Sequence, residues 1–487
     1  MKVRLRLSAD PYTSLTVSDG RNVLFNWLFR HHHHGTLIMR LDDVNFRAEG
    51  VDTPRREDSL DVLRWLGMDW DEGPDKPGQS GPYKVSERLP IYKEWVQKLL
   101  SKGQAYMCFE SPEELEEMYI QQKIHGHKPR YDRRGLKLTA AEREALLAQG
   151  KPYTVRLKVP DHVVELTDII RGKLVYNGPE HSDFVIQRGD GVPTRAFANV
   201  VDDHLLGVTH VIRGEEDLAD APFVGFIAEA LGFTLPLFVF IPMILGGDKT
   251  RLSGRHGLVG LADHRAQGYL SEALVNYLVG HGWEPGDQSQ LRTLGSLAKA
   301  FHIEQIKKVH SVWEVEKLRV FNRMAIEKLK DEALIDLLSP YLRTLGYDLT
   351  ARGKEWALDF ISAIRPGLAT LGEVKDHGET WFASEVEPDK KGITLLKDPD
   401  ALKVVNALED AVRALKSVDK ENYRELVEAA RGSITNKGKA LVLTRVLLSG
   451  RETGPEFSRL VPLLGRELIL ARLEYIRRHI PRGSRRG

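Results

Sequence analysis

At the start of the chain apolar and basic positions alternate through Val3-Arg4-Leu5-Arg6-Leu7, the period-two pattern that predicts a half-buried β-strand. Ser8 to Asp19 is rich in Ser, Thr, Asp and Pro and reads as a loop. From Asn22 the chain turns apolar at helical spacing, with Val23, Leu24, Trp27 and Leu28 on one stripe. Leu37 to Leu41 predicts a second strand ending in Asp42-Asp43, and Thr53 to Trp70 an amphipathic helix. From about residue 320 the pattern is helical with short breaks, including Asp331–Leu338 and Ala401–Leu415. The fold class is therefore α/β followed by an all-α part. Strand, loop and helix in that order can build a phosphate site, because the loop sits at the carboxyl end of the strand and the helix N-terminus offers unpaired N–H groups. An ordinary βα corner has the same pattern.

Composition narrows the class. A chain of 487 residues supports two to four domains. Hydrophobic residues at 42% and charged residues at 29% describe a soluble globular protein. No apolar run approaches a membrane span, and Met1 to Asp10 has no signal-peptide core, so a cytoplasmic location is expected. The single Cys, Cys108, excludes an internal disulfide. A net charge of +1 gives no global footprint for nucleic acid, so any RNA contact rests on local patches. His31 to His34 lie within the first helix pattern. The basic tail Arg477, Arg478, Arg482, Arg485 and Arg486 reads as a solvated end.

Longer stretches carry a resemblance. Arg6-Leu7-Ser8-Ala9-Asp10-Pro11, Leu15-Thr16-Val17-Ser18-Asp19 and Leu24-Phe25-Asn26-Trp27-Leu28-Phe29 resemble the opening of glutamyl-tRNA synthetases, where R-F-A-P-S-P-T-G leads into the HIGH-type signature. Leu66 to Pro74, Phe197 to Gly207, Thr209 to Glu216 and Asp248 to Gly257 continue it, the last in place of the family's K-L-S-K-R-H-G loop. Gly268 to Leu278 is similar to the stem-contact segment, and Lys437 to Leu441 to the end of the bacterial anticodon-binding domain. The resemblance implies a class I Rossmann-type catalytic domain in two halves (1–104 and 183–257), split by an acceptor-stem-binding insertion (105–182). A helical stem-contact region (258–320) and an anticodon-binding domain (321–487) follow. It also implies a monomer that binds tRNA, glutamate or another amino acid, and ATP with Mg2+.

The resemblance further implies roles that this sequence alters. Thr16 stands at the position of the HIGH-type His, and Ser18 at its Gly. Asp19 places an acid near the phosphate path. Arg251 and Gly254 replace the two lysines of the K-L-S-K loop, with Ser253 kept between them. In the amino-acid pocket Arg6, Asn199 and Arg213 match, Arg213 being the implied partner of the glutamate side chain, and Ser8 is a further implied substrate-binding position. Asp10, Asp42 and Arg195 replace Ser, Glu and Tyr. Asp10 and Arg195 arrive as opposite charges at positions that face one ligand in the family, so they are expected to pair and reshape the pocket. Some family members bind zinc in the insertion; here Cys108 lacks partner thiols, and no zinc is expected. Three functional readings stay open: a glutamate–tRNA ligase whose adenylation is weak or lost, a paralogue that binds tRNA or an amino acid without aminoacylation, and an enzyme acting on a different substrate.

Overall fold

The first strand, β1 (Arg4–Ala9), buries Leu5, Leu7 and Ala9 and turns Arg4, Arg6 and Ser8 to its other face, as period-two alternation requires. It pairs in parallel with β2 (Thr36–Leu41). The intervening helix α1 (Val17–His32) starts five residues ahead of the apolar stripe that predicted it, because Thr16 caps it at a polar N-terminus. It ends at His32, so His33 and His34 lie beyond it. Arg21, fully buried on α1, donates to the carbonyls of Pro242 at 2.5 Å and His281 at 3.3 Å. Burial lowers its pKa to about 10.

The protein's structure, a computed structural model, describes residues 2–11, 13–44, 59–287, 289–478 and 480. The helix expected over Thr53 to Trp70 is seen as α2 (Ser59–Trp65), its first part lying outside the described residues, as do Arg482, Arg485 and Arg486. After α3 (Val85–Ser101) comes β3 (Ala105–Cys108), then the helices α4 (Pro112–Ile124), α5 (Arg134–Lys137) and α6 (Ala140–Ala148). β4 (Thr154–Leu157) pairs antiparallel with β3 and with β7 (Phe184–Gln187). β5 (Val163–Asp168) and β6 (Gly172–Asn177) form a hairpin, and β5 meets β9 (Leu237–Ile241), which runs parallel to β8 (His210–Gly214). The sheets thus do not break at residue 182: β5 and β6 share a sheet with β8 and β9, while β7 closes the small sheet of β3 and β4. Asp168 makes that join, accepting from the N–H groups of Ile170, Arg171 and Phe240 at 2.6, 2.7 and 3.0 Å. α7 (Arg195–Leu205) and α8 (Ala221–Leu231) pack around Phe197, Val201, Phe226 and Ile227.

The chain divides into two compact units, one of Met1–Arg265 with Ser271–Leu318 and one of Ala266–Leu270 with Arg319–Gly487. The second is helical. Asp331–Arg343, Asp400–Ala414, Lys437–Ser449 and Phe457–Arg477 bury one apolar face each in a common core that includes Leu334, Leu338, Val404, Leu408, Leu447 and Ile469. Arg477 pairs with Glu409, and Arg478 with Glu474 at 3.1 Å.

Candidate active site

Asn199, Asp202 and Asp203 fall three and four residues apart on α7, so an amide and two carboxylates share one helix face. Buried arginines from β1, β2 and α3 meet them. Arg6 donates to Asp203 at 2.7 Å, Ser8 Oγ at 2.5 Å and Asn199 Oδ1 at 3.2 Å. Arg40 forks onto both oxygens of Asp42 at 2.8 and 3.0 Å and reaches Asp202 at 2.7 Å and Asn199 at 2.8 Å. Arg88 and the Tyr92 hydroxyl each donate to Asp202 at 2.7 Å. Burial alone would lower the Arg40 pKa, but Asp42 and Asp202 reverse it and raise it.

Two cavities open beside this network. One, of about 400 Å³, is lined by Asp10, Thr16, Ser18, Met243, Arg251 and Leu252 among others. The second, of about 310 Å³, is lined by Arg6, Asn22, Asn26, Asn199, Arg213 and Asp220 among others. They share Ser8, Leu15, Asp19, Asp42, Arg195, Glu216 and Arg251. The arginines that face the second cavity differ sharply. Arg6 spends three N–H groups on protein partners, one of them in a 2.7 Å ion pair with Asp203, whereas the ion pair of Arg213 among the described residues is a long one, 3.9 Å to Asp217. Burial and the nearby Arg6 charge lower the Arg213 pKa, with Asp217 and Asp203 opposing. Burial and Asp217 raise the pKa of Asp220 against the pull of Arg213 and Arg195.

Asp10 and Arg195 come together at 3.3 Å, the arginine side chain still 43% exposed. A pair this open contributes under about 1 kcal/mol. Asp42 has both oxygens on Arg40, which fixes the direction of its carboxylate and leaves one lone pair on each oxygen.

The residues at the HIGH-type positions are engaged with each other. Asp19 Oδ2 accepts from Thr16 N–H at 2.8 Å and Thr16 Oγ1 at 2.7 Å, and Thr16 Oγ1 accepts from Asp19 N–H at 3.3 Å. This is a capping box, which satisfies donors that the helix end would otherwise present to a ligand. The Asp19 carboxylate nevertheless lines both cavities.

Arg251 and Leu252 are what the Asp248–Gly257 loop contributes to either cavity. The loop is a hairpin: Gly246 N–H donates to Thr250 O at 2.8 Å, and Leu252 N–H to Ile244 O, in β10 (Ile244–Leu245), at 3.3 Å. β10 pairs in parallel with β11 (Ser311–Val312). The segment after the loop is stitched to the start of α1 by Val17 N–H to Val259 O and Leu261 N–H to Leu15 O, both 2.9 Å. Ser253 and Gly254 are exposed and line neither cavity. A Cβ at Gly254 would meet nothing within 4 Å.

In the insertion the Cys108 thiol is buried, and desolvation raises its pKa to about 11. Tyr131 hydroxyl donates to Glu110 at 3.2 Å and accepts from Gly135 N–H at 2.9 Å. Arg156 stacks on the Tyr131 ring at 4.3 Å. Among the described residues no group of three His, Cys, Asp or Glu side chains could hold a metal ion. These residues do not fit a thiolate zinc site.

Sequence reasoning did not single out Arg40, Arg88, Asp202, Asp203 or Glu216. The signal for Asp202 and Asp203 was present, since with Asn199 they are polar residues at helical spacing among the apolar Phe197, Val200 and Val201. Glu216 had no such signal.

Residues 2–320 match the family of tRNA synthetases class I (E and Q), catalytic domain, and residues 333–477 match the anticodon binding domain. The chain is 36% identical over 480 residues to glutamate–tRNA ligase 2 of Caldanaerobacter subterraneus subsp. tengcongensis, covering 97% of this chain and 98% of that one. It is 35% identical to the glutamate–tRNA ligase of Moorella thermoacetica, covering 98% and 99%. The crystal structure of a glutamate tRNA ligase from Elizabethkingia meningosepticum in complex with its amino acid superposes with a TM-score of 0.82 at 28% identity, covering 99% of this chain and 100% of that chain. A catalytic-domain match over most of the chain, an anticodon-binding match behind it and near full-length relatives of one name together place this chain in the glutamyl-tRNA synthetase family of class I.

Proposed function

We propose that the protein joins glutamate to tRNA through a glutamyl-adenylate, with a slowed adenylation step. The carrying observation is Arg213, which faces the smaller cavity with its ion-pair partner among the described residues as far off as 3.9 Å. A guanidinium in that state suits a bidentate carboxylate such as the glutamate side chain. Arg6 and Asn199, fixed by their own network, form the rigid wall around it. Magnesium-bound ATP is the second substrate. Its pyrophosphate leaves as the glutamate carboxylate attacks the α-phosphate, and Arg251, which lines both cavities, is the cation the loop offers to the developing charge.

The slowing follows from what surrounds that path. Thr16 brings a neutral hydroxyl already bonded to Asp19, and Gly254 brings no charge. Each missing donor costs about 10²–10³ in rate, and losses within one constellation do not add simply. Asp10, Asp19, Asp42 and Glu216 also face a polyanion, whose bound magnesium lessens the repulsion. We read the partner set as tRNA, glutamate and ATP, handled by a cytoplasmic monomer. Pyrophosphate exchange dependent on ATP and glutamate, run with and without tRNA, tests the reading; no exchange under either condition overturns it.

A second reading, RNA binding without aminoacylation, is favoured by the Thr16–Asp19 box and the Asp10–Arg195 pair, which occupy positions that face ligands in the family. It expects tRNA affinity that falls steeply with salt, preference for glutamate tRNA at one fixed salt concentration, and no charging.

A further inference from the structure

The loop that carries Arg251 is closed by a side-chain cluster that neither cavity uses. Asp248 Oδ1 accepts from Thr250 N–H at 2.9 Å, Thr250 Oγ1 at 2.7 Å and His256 Nε2 at 3.0 Å, while Asp248 Oδ2 meets Arg255 at 3.3 Å. Arg255 also donates to Thr250 Oγ1. The opposite ring atom, His256 Nδ1, lies 3.0 Å from Ser253 N and 3.2 Å from Ser253 O, so the ring is held on both sides, by Asp248 and by the Ser253 backbone. The ring lies over Gly246: a Cβ there would fall 2.3 Å from His256 Cδ2 and 2.4 Å from Nε2. The turn of the hairpin and the segment that follows it, eight residues apart at Asp248 and His256, are thus tied by one carboxylate, and glycine at 246 leaves room for the tie. Hydrogen bonds satisfy that carboxylate and hold it well below its usual pKa.

We infer that Asp248 and His256 are positioning residues: they clasp the loop over Gly246 and so fix Arg251 where it faces both cavities. Arg251 is exposed and its side chain has no partner among the described residues, so its direction is set by the backbone of the loop, bridged there to Leu245. The clasp also keeps Arg255 on Asp248, away from the cavities, which leaves Arg251 as the loop's working cation. A loose loop would spread Arg251 over many directions, and misplacement of a catalytic contact by about 1 Å can cost about 10²-fold. The structural part of this inference stands alone; its nucleotide part rests on the ligase reading above.

Gly246→Ala is the clean test, because it ejects the His256 ring without changing any charge, and Gly246 has no left-handed backbone to strain. Two readouts are taken on the full chain. The first is the rate of trypsin cleavage after Lys249, Arg251 and Arg255, expected to rise at least about tenfold as the loop opens. The second is calorimetric binding of ATP and of glutamate in one preparation, with ATP affinity expected to fall roughly ten- to a hundredfold and glutamate affinity unchanged. Asp248→Asn should repeat the trypsin result. Unchanged cleavage in both variants overturns the clasp. Faster cleavage with unchanged or tighter ATP binding overturns its role in placing Arg251, and an equal loss for ATP and glutamate shows a merely structural effect and overturns it too. Absence of ATP affinity in the parent protein defeats the ligase reading and the nucleotide role together, while the trypsin comparison still decides the clasp.

Discussion

Replacing Asp202 by alanine removes the acceptor shared by Arg40, Arg88 and Tyr92, each 2.7 Å away in a fully buried cluster. Arg40 keeps both oxygens of Asp42 and so remains paired. Arg88 does not: its other bond is to Pro82 O at 2.9 Å, and its Nη2 has no partner among the described residues. Breaking one buried ion pair costs about 3–5 kcal/mol and stranding the Tyr92 hydroxyl about 1–3 more, so the variant should lose at least about 4 kcal/mol. That is a large share of a total stability of about 5–15 kcal/mol. The assay is urea unfolding read by hydrogen exchange in the 195–205 segment, which reports on the unit that holds the cluster. The triple change Asp202→Leu, Arg88→Met and Tyr92→Phe removes both sides of the Arg88 and Tyr92 bonds, leaves Arg40 on Asp42, and should recover most of the deficit. A loss below about 1 kcal/mol for Asp202→Ala, an ordinary surface value, would refute the reasoning.

Gly254→Lys should fold normally, since its Cβ meets nothing within 4 Å, and should raise the exchange rate by up to about 10²; an unchanged rate would detach position 254 from the phosphates. His281 is buried, and its pKa is pushed down to about 3 by burial, then by Arg21 and Lys317. The unfolded chain therefore binds a proton that the folded chain refuses, so stability present above about pH 6.5 is lost as pH falls, about 2–3 kcal/mol by pH 4.5. His281→Gln should flatten that acid limb in urea titrations at the two pH values. Cys108, its thiol raised to about 11 by desolvation, should react slowly with a thiol reagent at pH 8 until urea opens the insertion, and elemental analysis after dialysis should find no stoichiometric zinc.

The residues themselves showed local structure: the alternation at Val3 to Leu7 gave β1 its buried face. The contact of Asp10 with Arg195, 185 residues apart, was legible only through the family resemblance. The start of α1 was harder, because a capping box is built from the same Thr and Asp residues that mark a loop. Arg6 and Arg213 look alike as family arginines, and what separates them is Asp203, 197 residues from Arg6 and paired with it at 2.7 Å. Around residue 182 the strands of two sheets interleave, β7 joining β3 and β4 while β5 and β6 join β9 and β8, an order that strand patterns alone do not announce. The fit of His256 over Gly246 depends on a ring-to-backbone approach that no spacing rule encodes.

The central claim is that this chain still activates glutamate, slowly. ATP–pyrophosphate exchange with glutamate, measured at saturating tRNA beside a charging assay on the same preparation, tests it most directly. The account predicts exchange that requires glutamate, is abolished by Arg213→Ala and is raised by Gly254→Lys. Glutamate-dependent exchange that survives Arg213→Ala unchanged, or no exchange from a preparation that binds tRNA, would contradict it.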